Sequence, residues 1–512
     1  MKLDYATYLN KLRGCWNGKN IGGVLGMPFE CKRGVFEVQY YTQDLREPLP
    51  NDDLDLQLVW LNAVEKYGRN VNSHILGEYW NSYVIPAWAE YGAGKNNLRM
   101  GLVPPLSGYV GNKFRDSNGS YILSEIWACL CPGHPALAVQ YAYEDAIVDH
   151  SHEGVYAEIF CAAVESAAFV CSERDTLIDI GLSYLPQESV IHTAVACVRR
   201  CHADGLTWQE ARKNLFQTVP CSFGLIGTRR EDMAADEPLG PIGYDAPCHI
   251  GLIVLGWLYG EGDFDRSICI AASCGEDSDC TAGTLAAILG IILGVDGIDE
   301  KWLLPLGGMI TTACVDVNEK DVVIPKTVEE LVGRIVRQTA RFLDVADVDL
   351  WTDTAGYAIL ADETALQCAP YQLSCWYSRD MRDMFRNPFL TRYDFVPFKV
   401  YVDYAQAPYI QEGTPRTFTL TFENNYRYQQ WLRLRWILPP EWEISPIPVA
   451  AIALEQAHCN VPLARVQFTV TPRNIQQERY DLLVQIVSNG RAIQATVPIV
   501  LLAGDDYQIF TE

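Results

Sequence analysis

The chain has 512 residues and a formal net charge of −24, and 49% of its residues are hydrophobic against 20% that are charged. This length exceeds one ordinary domain, so we expect two or more folded units, and the apolar content excludes wholesale disorder. The acidic balance disfavours partners that require clustered Lys and Arg, so we expect neither sequence-independent nucleic-acid binding nor binding to anionic membrane surfaces.

The amino terminus and the cysteines indicate the compartment. The first residues, MKLDYATYLNKLRGCW, contain no apolar signal core. The 17 cysteines are scattered without a C-x-x-C pair, which disfavours a zinc ribbon or a thioredoxin-like motif. We therefore expect a cytoplasmic protein whose thiols are reduced and act mostly as small core hydrophobes.

Residues 1 to about 345 are predicted to form an all-α domain. Segment 156–172, YAEIFCAAVESAAFVCS, repeats apolar residues at helical spacing with small residues between them, as closely packed helices require. Thr327 and Glu330 fit a capping box, which predicts the start of the last helix of this domain. The apolar run from about Cys280 to Val295 is shorter than the ~20 residues that span a bilayer, so it predicts a buried helix.

From about residue 395 the pattern changes to short strands. FKVYVDYA, RTFTLTFEN and WLRLRWIL alternate or run in β-branched and aromatic residues, and Asn489-Gly490 is a strong hairpin turn. Several short strands at this spacing predict a β-sandwich over residues 395–512. Residues 346–394 form an aromatic-rich connector whose structure the pattern does not indicate.

Two short acidic clusters each precede an apolar helix. The first comprises Asp52, Asp53 and Asp55, and the second comprises Glu276, Asp277 and Asp279, about 225 residues further on. Either cluster alone is explained by helix capping and by the helix dipole. The two together favour an oxygen-ligand site for one or two divalent cations such as Mg²⁺, assembled by a helical bundle.

The order of the motifs is more specific than any one of them. A glycine-rich helix, RGCWNGKNIGGVLGMPFE at 13–30, ends in G-x-P-x-E, and the acidic pair follows it. An N-G-S, an H-x-H and a G-x-D-x-D before an Ala- and Gly-rich helix come next. Across residues 10 to 345 this order resembles the ADP-ribosylglycohydrolase family. The resemblance implies an all-α catalytic domain over 1–345, and the connector 346–394 and an accessory β-sandwich over 395–512 lie outside it.

The resemblance assigns roles residue by residue. It implies metal ligation by Asn51, Asp52, Asp53, Asp277 and Asp279, with Asp279 bridging two ions and contributing to catalysis. It implies that Glu30 handles the attacking water. It implies substrate binding by Asn118, Gly119, Ser120, His150 and His152. Without the resemblance, N-G-S would be an ordinary turn and the histidine pair a surface or cap feature.

Three positions depart from the family pattern. Asn51 stands where the family has threonine, Cys280 where it has a hydroxyl residue, and Gly23 where it has aspartate. Asn51 still offers a carbonyl oxygen, but the Cys280 thiol is a poor Mg²⁺ ligand. Asp55 has no family role, and we interpret it as an acid of the first helical turn.

Three functions are compatible with these features. The first is a Mg²⁺-dependent hydrolase, with Mn²⁺ as the alternative ion, that cleaves the glycosidic bond at the ribose C1 of an ADP-ribosylated or ribosylated protein or small molecule. The second is a catalytically altered, crystallin-like or sugar- or nucleotide-binding member of the same fold. The third is a carbohydrate-processing enzyme in which Trp431, Trp436 and Trp442 form a sugar platform rather than part of the sandwich core. The retained carboxylates favour the first function, and the oligomeric state stays open.

Overall fold

The computed structural model describes residues 1–224, 226–316, 321–352, 356–369, 387–446, 448–457, 463–492 and 494–504. The chain divides into two compact units. One unit comprises Met1–Lys95 and Lys113–Cys375, and the other comprises Asn96–Asn112 and Trp376–Glu512. Much of the predicted connector, namely residues 353–355 and 370–386, lies outside the described residues.

The part of the chain before residue 345 is helical. In chain order, the helices of the described ranges are α1 Tyr5–Gly26, α2 Asp52–Tyr67, α3 Ser73–Tyr83, α4 Ala89–Arg99, α5 Leu106–Tyr109, α6 Ser124–Leu130, α7 Pro135–Ala146, α8 Glu153–Ala168, α9 Arg174–Ser183, α10 Val190–Ala203, α11 Trp208–Thr218, α12 Arg230–Ala234, α13 Ala246–Tyr259, α14 Phe264–Ser273, α15 Ser278–Leu293, α16 Glu300–Leu306 and α17 Val328–Phe342. None of them is both long and apolar enough to cross a bilayer.

Short antiparallel strands accompany these helices. They are β1 Lys2–Leu3, β2 Lys32–Arg33, β3 Ile226–Gly227, β4 Pro241–Ile242, β5 Gly275–Glu276, β6 Val348–Asp349 and β7 Ala358–Leu360. Strand β2 pairs with β5 and β3 with β4, and β1, β7 and β6 form a three-stranded sheet. The predicted all-α domain is thus confirmed, with these strand pairs as minor additions.

The second unit contains the predicted β-sandwich. Its strands are β8 Leu390–Asp394, β9 Phe398–Asp403, β10 Tyr409–Ile410, β11 Arg416–Asn424, β12 Gln430–Ile437, β13 Glu443–Ser445, β14 Val449–Leu454, β15 Leu463–Thr471, β16 Arg479–Ser488 and β17 Gln494–Ala503. One sheet has the order β10-β17-β16-β12-β14, and the other has the order β13-β15-β11-β9-β8. The alternating burial of β12 follows from one face turned to the core and one to solvent.

The sandwich core contains residues from both sheets and from an earlier part of the chain. Leu102, Leu106 and Val110, from Asn96–Asn112, are buried in the same cluster as the inward-facing strand residues. Trp436 and Trp442 are 4% and 7% exposed and belong to this core, whereas Trp431 is 53% exposed. Two of the three tryptophans considered for a sugar platform therefore serve packing.

The cysteines of the described ranges are all free thiols, and most of them are buried. Their side chains fill space in a packed interior, which is the use expected for small hydrophobic side chains.

Candidate functional site

The packing of α1 against α15 brings distant motifs together. Glycines at positions 14, 18, 22 and 26 of α1 face α15 so closely that a Cβ added at Gly22 would clash with the backbone carbonyl of Ala282. The two helices run antiparallel, so the end of α1 meets the start of α15. Pairing of β2 with β5 fixes the segments that follow α1 and precede α15. Glu30 consequently lies beside the second acidic cluster.

The acidic starts of α2 and α15 meet at the same place. Side-chain oxygens of Asp52, Asp53 and Asp279 lie within 4.8 Å of one another. Asp277, Asp279 and Cys280 form a second group, and their ligand atoms also lie within 4.8 Å of one another. Asp279 belongs to both groups, so its carboxylate links the two.

The carboxylates in these groups fit a divalent cation. Asp53 and Asp279 are 3% and 6% exposed, and Asp53 Oδ2 and Asp279 Oδ1 have no hydrogen-bond partner among the described residues. Burial raises the pKa of Asp279, and Asp277, Asp53 and Glu30 raise it further. Burial also raises the pKa of Asp53, although Lys19 opposes this effect. Unpartnered buried carboxylates are costly, and a hard cation that binds several oxygens removes this cost.

Lys19 supplies a fixed positive charge that the sequence analysis did not single out. Its ammonium pairs with the Glu125 carboxylate at 2.7 Å, and both side chains are fully buried. It also donates a hydrogen bond to Thr284 Oγ1 at 3.2 Å. Burial lowers the pKa of Lys19, but Glu125 and Asp53 together raise it above its ordinary value. The sequence feature that could have identified this buried charge is a lysine directly after Gly18, inside a helix predicted to pack tightly.

A cavity of about 420 Å³ opens onto the acidic groups. Its wall contains Glu30, the four aspartates and an aromatic set that comprises Trp88, Tyr91, Phe114, Phe223 and Tyr244. The rings of Phe114 and Phe223 meet edge to face with their centroids 5.7 Å apart. The volume and the mixed aromatic and polar wall are those of a small-molecule site. No sequence motif predicts this aromatic set, because its members come from separate loops and helices.

Glu30 is held at this cavity by the end of α1. It follows a 3₁₀ turn over Met27–Phe29 that continues directly from the helix. Burial raises the pKa of Glu30 to about 7, and the negative charges of Asp277 and Asp52 contribute to this rise. A cation held by these aspartates would lower the pKa of Glu30 again and favour the carboxylate, the form that accepts a proton.

Two residues of the predicted substrate loop 118–120 line the cavity, and the third is buried in the protein interior. Asn118 and Gly119 line the cavity, and Asn118 Nδ2 donates a hydrogen bond to Asp277 Oδ2 at 2.7 Å. A Cβ at Gly119 would lie 2.2 Å from Glu90 Oε1, so a larger residue there would displace the Glu90 carboxylate. Ser120 is fully buried and donates to the backbone carbonyl of residue 154 in α8 at 2.5 Å. The loop thus orients one acidic side chain and anchors itself to a helix.

The two predicted histidines lie in different surroundings. His150 is fully buried, with Nδ1 2.8 Å from Asp149 Oδ1 and Nε2 2.7 Å from Ser117 Oγ. His152 lines a separate cavity of about 430 Å³. Neither histidine is among the described residues that line the acidic cavity. The structure therefore brings Asn118 and Gly119 to the site but leaves Ser120, His150 and His152 away from its wall.

Two of the departures from the family pattern are structurally linked. Asn51 precedes α2 without a side-chain capping bond, and its amide nitrogen is buried and has no partner among the described residues. This amide occupies the space where a Cβ on Gly23 would lie. Glycine at position 23 thus makes room for asparagine at position 51. The third departure, Cys280, places its Sγ 3.4 Å from Asp53 Oδ1.

Two acids of the clusters stabilise the surrounding backbone. Asp55, in the first turn of α2 as expected, accepts hydrogen bonds from the backbone N–H groups of Ala313 and Cys314 at 2.6 and 2.5 Å. Glu276 pairs with Arg33 at 2.7 Å, and both side chains are buried. These two carboxylates hold the loops behind the site, whereas the four aspartates and Glu30 face the cavity.

One family model matches the helical part of the chain. A model of the ADP-ribosylglycohydrolase family matches residues 4–341 of the chain. A solved structure described as an ADP-ribosylglycohydrolase-related protein complex is 14% identical, with a TM-score of 0.44, and the similarity covers 66% of this chain and 100% of that chain. No curated protein matches the sequence at a significant level.

Proposed function

The chain belongs to the ADP-ribosylglycohydrolase family, and on this premise we propose that it hydrolyses the glycosidic bond at the ribose C1 of an ADP-ribosylated or ribosylated protein or small molecule, with Mg²⁺ as cofactor. Family membership itself supports an activity of the glycohydrolase type. The observation that carries the proposal is the convergence of two acidic groups, which share Asp279, on a cavity of small-molecule size.

The four aspartates are the residues that would hold the cation. Asp52 and Asp53 approach from the start of α2, and Asp277 and Asp279 approach from the start of α15. The Asn51 amide lies next to them in sequence and offers a further carbonyl oxygen. The chemistry that a divalent cation supplies at such a site is orientation of vicinal ribose hydroxyls and activation of a water. Oxygen ligands of this kind suit Mg²⁺, with Mn²⁺ as the alternative.

Glu30 is the residue that we assign to proton transfer. It lines the cavity beside the aspartates, and its carboxylate accepts the proton of the water that attacks the ribose C1. Cleavage at C1 passes through a state with positive charge on the sugar ring. Asn118 keeps Asp277 in place through its 2.7 Å hydrogen bond.

The aromatic wall supports a substrate that contains a planar ring. Trp88 is 56% exposed at the cavity, and the edge-to-face pair of Phe114 and Phe223 lies on the same wall. Aromatic faces bind planar heterocycles by stacking, so one ligand would place its sugar hydroxyls at the acids and its base on this wall. An ADP-ribosyl group has both parts. A ribosyl group without a base would use only the acidic end of the cavity.

The proposed activity is tested by release of free ADP-ribose from arginine-, serine- and small-molecule-linked conjugates with Mg²⁺, against an EDTA control. Glu30→Gln should lower turnover by roughly 10²–10⁴-fold, because glutamine keeps the shape but accepts no proton. It should leave metal binding nearly unchanged. Asp279→Asn should lower both turnover and metal binding, because it removes the carboxylate charge that the two acidic groups share. Glu37→Gln is the matched control, since Glu37 is exposed and lies close in sequence.

The outcomes separate this proposal from the second function considered above. A wild-type protein that releases nothing from any conjugate, yet binds ADP-ribose measurably, would be a binding member of the family rather than a hydrolase. A Glu30→Gln protein with wild-type turnover would remove Glu30 from the mechanism while leaving the hydrolase assignment intact.

A further inference from the structure

The second acidic group differs in kind from the first, because one of its three members is a cysteine. The sulfur of Cys280 and side-chain oxygens of Asp277 and Asp279 lie within 4.8 Å of one another. The first group, with Asp52, Asp53 and Asp279, contains only oxygen. Hard cations such as Mg²⁺ prefer all-oxygen sites, whereas thiolate ligands select softer ions such as Zn²⁺.

We infer that the position between Asp277, Asp279 and Cys280 is a mixed oxygen and sulfur site that binds a thiolate-preferring transition-metal ion of the Zn²⁺ class in preference to Mg²⁺. This inference rests on the proposed metal centre and specifies which ion each position takes. The all-oxygen position would keep Mg²⁺, so the loaded protein would hold two different metals around Asp279.

The surroundings of Cys280 support a ligand rather than a space-filling role. A buried cysteine that only packs is surrounded by apolar atoms. The Cys280 thiol instead lies 3.4 Å from Asp53 Oδ1, and it is not part of a disulfide. All three members of its group are 6% exposed and line the cavity, so a cation could reach this position from the cavity.

A second observation points to a ligand at this position. Asp279 Oδ1 is buried and has no hydrogen-bond partner among the described residues. Cation binding would give this oxygen a partner and would displace the thiol proton of Cys280 to solvent, as metal–thiolate bonds require. Cys31 also lines the cavity, but its sulfur contacts Tyr244 and Glu30 and lies outside both groups. It therefore provides a matched control.

The test is a Co²⁺ titration of the full chain, followed by the thiolate-to-cobalt charge-transfer absorption and by calorimetry. We expect the band in the wild type and in Cys31→Ser, and its loss in Cys280→Ser and in Cys280→Thr. Zn²⁺ should abolish the band, and an excess of Mg²⁺ should not. Zn²⁺ affinity should fall at least about tenfold in Cys280→Ser, since even loss of an outer-shell partner costs this much. Circular dichroism checks that each variant is folded.

Two results would overturn the inference. Persistence of the band in both Cys280 variants would assign the sulfur ligand to another cysteine. Binding of two Mg²⁺ ions without any cobalt band in the wild type would make both positions oxygen sites. The second result leaves the proposed hydrolase intact, whereas absence of all metal binding would count against both proposals.

Discussion

Lys19→Met is expected to destabilise the helical unit by about 3–5 kcal/mol. The variant removes the ammonium that pairs with Glu125 at 2.7 Å, where neither side chain has exposed surface. Breaking a buried ion pair from one side costs this much because the remaining charge stays buried without a counter-ion. Gln57 still donates to the Glu125 carboxylate at 2.9 Å, but one neutral donor does not replace the lost positive charge.

The double variant Lys19→Met/Glu125→Gln should recover most of this loss. Replacing both members of a buried pair by neutral groups is often neutral or stabilising, and glutamine can still bond to Gln57. The assay is urea unfolding followed by the helical circular-dichroism signal, with all four proteins of the cycle compared at similar m-values. Arg13 and Glu329, paired at 2.6 Å with side chains 34% and 67% exposed, form the control pair, for which we expect less than about 1 kcal/mol. Additive losses in the Lys19 and Glu125 variants would refute the reasoning.

The remaining predictions concern packing, titration and metal ligation. Gly22→Ala should lower the free energy of unfolding in urea by about 1–3 kcal/mol, because the added Cβ meets a backbone carbonyl of α15. The control Gly333→Ala has open space for its Cβ and should be neutral or stabilising by up to about 1 kcal/mol. Equal effects of the two substitutions would contradict the helix contact. In metal-free protein, burial raises the pKa of Glu90 from 4.5 to about 7. The folded state therefore holds this proton more tightly than the unfolded state, and stability should fall as the pH rises from about 4.5 to 7. The Glu90→Gln variant should be more stable to unfolding than the wild type by roughly 3 kcal/mol at pH 8 and equally stable at pH 4. A stability difference that does not depend on pH would refute this reasoning. Asn51→Thr combined with Cys280→Thr should tighten Mg²⁺ binding in calorimetry several-fold, and unchanged affinity would mean that neither side chain contacts the ion.

The fold class was predictable because its local signals are periodic. Helical spacing before residue 345 and alternation after residue 395 each repeat many times, so single errors do not change the result. The last helix begins at Val328, as the Thr327 cap predicted, and Thr327 Oγ1 accepts from the Glu330 N–H. The reciprocal half of the capping box differs, because the Glu330 carboxylate accepts from the backbone of Lys326 instead. The hydrogen bond from the Glu330 N–H to Thr327 depends only on neighbouring residues, so the sequence predicts it. The partner of the Glu330 carboxylate depends on the conformation of the preceding turn.

The candidate site was predictable only where its residues form sequence motifs. The two acidic helix starts and Glu30 are such motifs, and the structure places them at one cavity. Lys19 and the aromatic wall are not, because their proximity to the acids arises from the packing of separate helices and loops. The coupling of Gly23 to Asn51 is likewise a contact between two helices, and a single sequence carries no sign of it.

The assignment of Asn96–Asn112 to the sandwich unit has a consequence for biosynthesis. Leu102, Leu106 and Val110 are translated about 280 residues before the first sandwich strand, which begins at Leu390. At 5–20 residues per second, the ribosome takes roughly 15–60 s to cover this distance. During that interval the three side chains have no sandwich core to enter and stay without their packing partners. A product that stops before residue 390 would leave these three apolar side chains, which lie near its beginning, without the core that buries them.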